Sequence, residues 1–161
     1  EVFTSPRKGD ADGIVYSSKP LSYAGQLIDN FWVRFEGGKA VDVGAEKNEA
    51  LLREIIAMDE GSAYLGECAL VPYSSPIRES GILFYNTLFD ENASCHLAIG
   101  KGYPTTVKNG AMLNKEQLDK KGLNDSTEHV DFMIGTIDTS VIGVKKDGTK
   151  VTLFEDGEWV I

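Results

Sequence analysis

Cysteine and histidine are scarce in this chain of 161 residues, which holds two of each. Cys68 and Cys95 are too few for the disulfide framework of a small secreted domain, and reduced thiols are the simplest interpretation. No apolar run approaches the roughly 18 residues that a membrane span needs. No signal-peptide pattern opens the chain. We therefore expect a cytoplasmic protein that does not enter a membrane.

Basic residues are also in the minority. Sixteen lysines and arginines stand against twenty-five acidic residues, which leaves a net charge of −9. This balance argues against nonspecific binding of nucleic acid or of an anionic membrane surface. It suits cations, or substrates with a free amine, although in most proteins such a charge only serves solubility. Hydrophobic residues make up 42 % of the chain, so it is not disordered, and its length fits one domain over residues 1–161.

Short apolar segments separated by glycine-rich turns predict an α+β fold that is rich in strands, in mixed or antiparallel arrangement. Gly37-Gly38 between two extended segments predicts a hairpin. Asp147-Gly148 and Asp156-Gly157 predict a C-terminal β-meander. The one substantial helix is expected over residues 45–58, where leucine and isoleucine recur at helical spacing.

The remaining segments follow from the same rules. Apolar stretches predict strands at residues 63–71, 95–99 and 130–134, and an extended segment at residues 82–88. A short helix is expected at residues 115–121, because Asn114 and Gln117 form a capping-box pattern at its start.

Both histidines lie near carboxylates. His129 and Asp131 are two residues apart at the start of a predicted strand, so their side chains face the same side. Glu91 and His96 flank a turn into another strand and can also converge. Glu67 lies in an apolar strand, where a carboxylate must be paired, protonated or coordinated. Each signal alone is more often ordinary polar structure, but together they favour a hydrolytic Zn, Co or Mn centre.

Other catalytic arrangements fit the sequence less well. Cys95 and His96 are neighbours on a strand and point to opposite faces, so they form a poor nucleophile–base pair. The segment Lys101-Gly-Tyr-Pro and the Gly37-Gly38 pair lack the strand-to-helix context of a phosphate loop. No serine-hydrolase elbow is present.

Four segments that carry these residues occur in a characteristic order. They are EVFTSP at residues 1–6, DEGSAYLGECALV at 59–71, TLFDENASCHLAIG at 87–100 and HVDFMIG at 129–135. Together they resemble the C-terminal metal-binding region of the M29 family of metalloaminopeptidases, which includes aminopeptidases S and T. The resemblance covers essentially the whole chain.

The resemblance implies an enzyme that hydrolyses N-terminal residues from peptides with a pair of divalent metal ions, Zn or Co. The implied metal ligands are Glu1, Glu67, Glu91, His96, His129 and Asp131. Tyr103 would be a further site residue, either a ligand or a donor to the reaction oxyanion. Glu91 is the first candidate for the general base, and Glu67 is the second.

Family members carry an N-terminal domain before the first segment, so the chain resembles an excised C-terminal domain. The implied partners are that domain, peptides with a free N-terminus and a second copy in a homodimer. We expect the fragment to be inactive and to bind metal weakly, because Glu1 would lie at a fraying terminus. Two alternatives stay open: an interaction or dimerisation module, and an acidic metal-binding protein without catalysis.

Overall fold

The computed structural model describes residues 1–161 as an assembly of eleven strands and four α-helices. The strands are β1 (Val2–Thr4), β2 (Gly13–Tyr16), β3 (Leu21–Tyr23), β4 (Gln26–Glu36), β5 (Lys39–Lys47), β6 (Leu65–Leu70), β7 (His96–Gly100), β8 (His129–Met133), β9 (Val141–Val144), β10 (Lys150–Glu155) and β11 (Glu158–Trp159). The helices are α1 (Glu49–Ile56), α2 (Pro76–Glu79), α3 (Thr87–Asp90) and α4 (Lys115–Lys120). The strand-rich α+β class is confirmed, with antiparallel sheets. None of the helices has the length and apolar character required to cross a membrane.

One sheet has the strand order β1-β6-β7-β8. Its side chains alternate between two faces along each strand. The apolar residues on one face of β7 and β8 belong to the hydrophobic core: Leu97, Ile99, Val130 and Phe132. The residues that alternate with them, including His96 and Asp131, therefore project from the opposite face.

The core lies between this sheet and a second sheet built around the long strand β4. Strand β5 pairs with one edge of β4, while β2 and β3 pair with the other edge. Phe31 of β4 packs against Phe132 of β8, with ring centroids 5.7 Å apart, and so joins the two sheets. The β4–β5 hairpin turns at Gly37-Gly38, as predicted, with positive φ at both residues.

Helix α1 is shorter than the predicted helix over residues 45–58. Residues 45–47 continue strand β5, where Ala45 pairs with Phe31. Asn48 then adopts a left-handed backbone conformation, with φ of 59°, which separates the strand from the helix. Pairing with the neighbouring strand thus overrides the helical periodicity at this end.

The prediction of an extended segment at residues 82–88 is wrong. The Asn86 side chain accepts a hydrogen bond from the Leu88 N–H and caps helix α3. Asp90, which is buried, accepts hydrogen bonds from the Phe84 and Asn86 N–H groups at 2.8 and 3.0 Å. These side chains satisfy the backbone locally, so the segment forms a turn and a helix instead of pairing with a strand.

The other predicted elements are present within a few residues of their expected bounds. Asn114 and Gln117 form the capping box of α4 through reciprocal 2.9 Å hydrogen bonds. Strands β9, β10 and β11 form the C-terminal meander. It joins the rest of the molecule through the Tyr73 N–H, which donates to the Gly157 carbonyl at 2.8 Å.

A single carboxylate, Asp59, ties the turn before β6 to the loop before β8. Five donors reach it: the N–H and hydroxyl groups of Ser62 and Thr127, and the hydroxyl of Ser126, at 2.7–3.0 Å. The pKa of Asp59 lies far below its usual range, mainly because the N–H and hydroxyl groups of Thr127 donate hydrogen bonds to its carboxylate. This junction fixes the path of the chain into His129, two residues after Thr127.

Substituting Asp59→Ala should lower the free energy of unfolding by about 1.5–3 kcal/mol at pH 7, because hydrogen bonds to a charged group are lost. The folded-state pKa of Asp59 lies below the unfolded-state value of about 3.9, so its stabilisation is complete above that value and lost as the pH falls below it. Urea unfolding at pH 7 and pH 3 measures both effects. Asp119→Ala, at an exposed position on α4, is the control and should change stability by less than about 0.5 kcal/mol. If Asp59→Ala lowered the free energy of unfolding at pH 3 by as much as at pH 7, the result would contradict this account.

Candidate metal centre

The register of β6, β7 and β8 brings two carboxylates onto one line across the sheet. Glu67 pairs with Ala98, and Ala98 pairs with Asp131. All three residues are buried. Because Ala98 contributes only a methyl group, no bulky side chain separates the two carboxylates.

His96 directs one nitrogen into the space beside these carboxylates. Its Nδ1 lies 3.1 Å from the Ser94 carbonyl and donates to it, so Nε2 is the nitrogen that faces the carboxylates. Nε2 lies 3.3 Å from Glu1 Oε2 and 3.5 Å from Glu67 Oε1. The nitrogen is buried and has no hydrogen-bond partner.

His129 has the same arrangement from the neighbouring strand. Its Nδ1 lies 2.7 Å from the Lys101 carbonyl. Its Nε2 lies 3.1 Å from Asp131 Oδ1 and 3.6 Å from Glu67 Oε2. Both histidines are thus oriented by a backbone carbonyl behind the ring, which is how metal-binding histidines are usually held.

The Lys101 carbonyl depends on a glycine for its position. A Cβ atom on Gly66 would lie 2.3 Å from the Lys101 carbonyl oxygen and 2.6 Å from that of Gly100. Only glycine allows this close approach of the two backbone segments. Gly66 therefore helps to set the orientation of the His129 ring.

Glu1 reaches the same space from the edge strand β1. The expectation of a fraying terminus is wrong, because Val2 to Thr4 pair with Leu70 to Cys68 of β6. This pairing anchors the chain directly after Glu1. The Glu1 carboxylate consequently meets the His96 ring, although it remains partly open to solvent.

Glu91 approaches from the turn that follows helix α3. It forms a potential ligand group with His96 and Asp131, in which the ligand atoms lie within 4.8 Å of one another. Burial and then the negative charge of Asp131 raise the pKa of Glu91 to about 7. Glu91 is less buried than Glu67 and Asp131, so water reaches it more easily.

Tyr103 borders the centre on the side of His129. Its ring centroid lies 4.8 Å from that of His129 and 6.0 Å from that of Phe3. Burial and the charges of Asp131 and Glu67 raise the pKa of the Tyr103 hydroxyl. The structure therefore brings all seven residues singled out from the sequence into one region.

The electrostatics of this region favour a bound cation. Four carboxylates converge there, and none of them forms an ion pair with lysine or arginine. Burial lowers the pKa of His129, but the hydrogen bond and charge of Asp131 outweigh it and raise the pKa to about 9. Positive charge therefore stabilises the cluster of carboxylates, and a proton or a metal ion can supply it.

The donor set fits divalent metal ions. Three groups of potential ligands overlap: Glu1, Glu67 and His96; Glu67, His129 and Asp131; Glu91, His96 and Asp131. Imidazole and carboxylate are the ligands of hydrolytic zinc sites. The unpartnered Nε2 of His96, which faces two carboxylates, is the atom that such an ion would satisfy.

Sequence reasoning missed the parts of the site that act through the backbone or through small size. The Ser94 and Lys101 carbonyls carry no sequence signal, because every residue has a carbonyl group. Ala98 and Gly66 are equally common in ordinary strands and turns. Only the predicted pairing of adjacent strands could have pointed to Ala98 as the spacer between carboxylates.

Comparisons with known proteins agree with this geometry. Residues 1–159 match the family model described as thermophilic metalloprotease (M29). The chain belongs to the M29 metalloprotease family. It is 55 % identical over 159 residues to aminopeptidase AmpS of Bacillus subtilis (strain 168), and 46 % identical over 161 residues to aminopeptidase T of Thermus aquaticus.

A solved structure in this family has the same fold. Wild-type AmpT from Thermus thermophilus matches 99 % of this chain with a TM-score of 0.92 at 43 % identity. The match covers 39 % of the AmpT chain, and the two aminopeptidases above are likewise covered over 39 % of their length. The chain thus spans about two fifths of these M29 relatives.

Proposed function

We propose that this chain is the catalytic, metal-binding domain of an aminopeptidase that uses two divalent ions. The observation that carries the proposal is the meeting of two imidazole nitrogens, of the buried His96 and the half-buried His129, with four carboxylates that have no lysine or arginine partner. The M29 relatives, which are named aminopeptidases, support the reaction class.

Six residues would hold the two ions, Zn or Co: Glu1, Glu67, Glu91, His96, His129 and Asp131. Glu67 suits a shared ligand, because its two oxygens face different histidines, at 3.5 Å from His96 and 3.6 Å from His129. A bridging carboxylate is what a site with two neighbouring metal ions requires.

When bound, the ions would supply Lewis acidity and lower the pKa of a coordinated water toward about 7. Glu91 is the first candidate to take the proton from the attacking water, because it is the more accessible carboxylate, with Glu67 the second. The Tyr103 hydroxyl, at the edge of the site, would donate to the oxyanion of the peptide carbonyl. The surrounding carboxylates would attract the free amine of the substrate.

We further infer that the domain works with an N-terminal domain and as a cytoplasmic homodimer. The greater length of the relatives supports the first partner. Strand β9 supports the second, because it pairs only with β10 and exposes Ile142 and Val144. An unpaired strand edge with apolar side chains favours pairing with another copy.

Titration of the metal-free chain with Zn²⁺ or Co²⁺ tests the proposal. We expect about two ions to bind per chain, because β1 anchors Glu1 beside His96. Calorimetry measures the stoichiometry. Glu67→Gln should lose one or both ions, whereas Glu116→Gln, on the exposed face of α4, should bind as the wild type does.

Activity separates the remaining alternatives. Hydrolysis of leucine p-nitroanilide is measured for the loaded chain and for a fusion with the N-terminal portion of Bacillus subtilis AmpS. Metal-dependent turnover supports the aminopeptidase. If metal binds but neither protein shows turnover, the chain is a metal-binding domain without catalysis. If neither metal binding nor turnover is observed, the alternative of an interaction module is supported.

A further inference from the structure

An apolar groove runs along the surface beside Glu1. Its volume is about 520 Å³, and its walls are largely apolar: Val71, Pro72, Pro76, Ile77, Leu88 and Phe89. Glu1 belongs to the same lining. Because the Glu1 carboxylate lies 3.3 Å from His96 Nε2, the groove and the candidate metal centre share a wall.

The polar groups in the groove are already engaged with one another. The Ser75 hydroxyl donates to the Asn92 carbonyl and accepts from the Ile77 N–H at 3.3 Å. The Asn92 amide donates to the Leu88 carbonyl at 3.2 Å. Glu1 is therefore the one charged group in the lining, and the rest of the groove offers apolar contact.

A second hollow, of about 600 Å³, is lined in part by the loop that carries Lys101. Its lining includes the charged residues Lys115, Asp119 and Asp125. None of the six candidate ligands lines it. Of these two hollows, the apolar groove is the one that adjoins the centre, because Glu1 lines it.

We propose that this groove receives the side chain of the substrate's N-terminal residue and selects apolar side chains. The inference rests on the proposed aminopeptidase function. In an N-terminal residue, the side chain and the amine are attached to the same carbon atom. The side-chain site must therefore adjoin the carboxylates that attract the amine, and Glu1 provides that junction.

The chemistry of the lining favours an apolar occupant over an acidic one. Burial of apolar surface contributes about 25 cal/mol per Å². An acidic side chain would lose hydration without gaining a partner and would also face Glu1. Leu88 and Phe89 are 76 % and 52 % exposed, so their apolar surface is available for such contact.

Binding of a substrate fragment that cannot be hydrolysed tests the groove directly. 3-Methylbutylamine has the amine and side chain of leucine but no carbonyl group. We expect it to shift the methyl NMR signals of Ile77 and Leu88, in the metal-free and the Zn²⁺-loaded chain, while methylamine leaves them unchanged. Unshifted signals, or shifts confined to Leu118 and Leu123 at the second hollow, would overturn the assignment.

A charge introduced into the groove should change selectivity. In the active protein, Leu88→Lys should lower the ratio of kcat/KM for leucine p-nitroanilide to that for glutamate p-nitroanilide by about tenfold or more, because apolar contact is lost and an opposite charge is gained. Ile82→Lys is the matched control, since Ile82 is also exposed but lies outside the groove. It should retain the wild-type ratio.

The outcomes separate this inference from the proposed function. Turnover with unchanged selectivity in Leu88→Lys would overturn the groove and leave the aminopeptidase standing. The opposite result is also possible: the chain binds no metal and has no turnover, but 3-methylbutylamine still shifts the Ile77 and Leu88 signals. That result would overturn the proposed aminopeptidase function and leave the groove as a binding site for alkylamines.

Discussion

In a full-length enzyme that carries this domain, His129→Ala should lose metal binding and peptide hydrolysis together. The His129 Nε2 atom lies between Asp131 and Glu67, at 3.1 and 3.6 Å, and alanine offers no donor in its place. Removing even a group that only orients a ligand costs about 10–100-fold in metal affinity, so loss of the imidazole itself should exceed 100-fold. Calorimetry with Zn²⁺ and hydrolysis of leucine p-nitroanilide measure the two effects.

The fold should survive this substitution, because the His129 side chain is 18 % exposed and lies outside the hydrophobic core. Circular dichroism of the variant checks this point. Glu128→Gln is the control: Glu128 accepts from the Tyr23 hydroxyl, away from the centre, and should keep both ions. A His129→Ala variant that bound two ions with wild-type affinity would remove His129 from the ligand set.

Local rules were sufficient where neighbouring residues determine the structure. The two-residue spacing of His129 and Asp131 predicts that both face one side of a strand, and they lie together on β8. The capping box of α4 and the two Asp-Gly turns of the meander are likewise properties of short segments. In each case the side chain that stabilises the element lies within a few residues of it.

Local rules failed where a distant segment decides the outcome. Residues 45–47 have helical periodicity but join β5, because β4 offers a pairing edge. Glu1 is held beside His96 by the pairing of β1 with β6, which lies more than sixty residues away in sequence. The backbone carbonyls behind both histidines also come from the tertiary arrangement. The family resemblance supplied the ligand candidates that spacing alone could not connect.

In the same full-length enzyme, Tyr103→Phe should separate metal binding from catalysis. The Tyr103 ring packs against His129 and Phe3, with centroid distances of 4.8 and 6.0 Å, and phenylalanine keeps both contacts. The variant loses only the hydroxyl group. If that hydroxyl donates to the oxyanion, metal content should stay unchanged while kcat falls by about 10²–10³-fold, the usual cost of losing one such donor.

Metal analysis and kinetics on the same Tyr103→Phe preparation distinguish three roles for the tyrosine. Retained metal with a reduced kcat assigns the hydroxyl to the oxyanion. Loss of metal as complete as in His129→Ala would make Tyr103 a ligand. Retained metal with full activity would mean that the ring serves only to pack against His129. In that case, the carbonyl oxygen of the substrate must find its stabilisation without Tyr103, and the divalent ions would have to provide it.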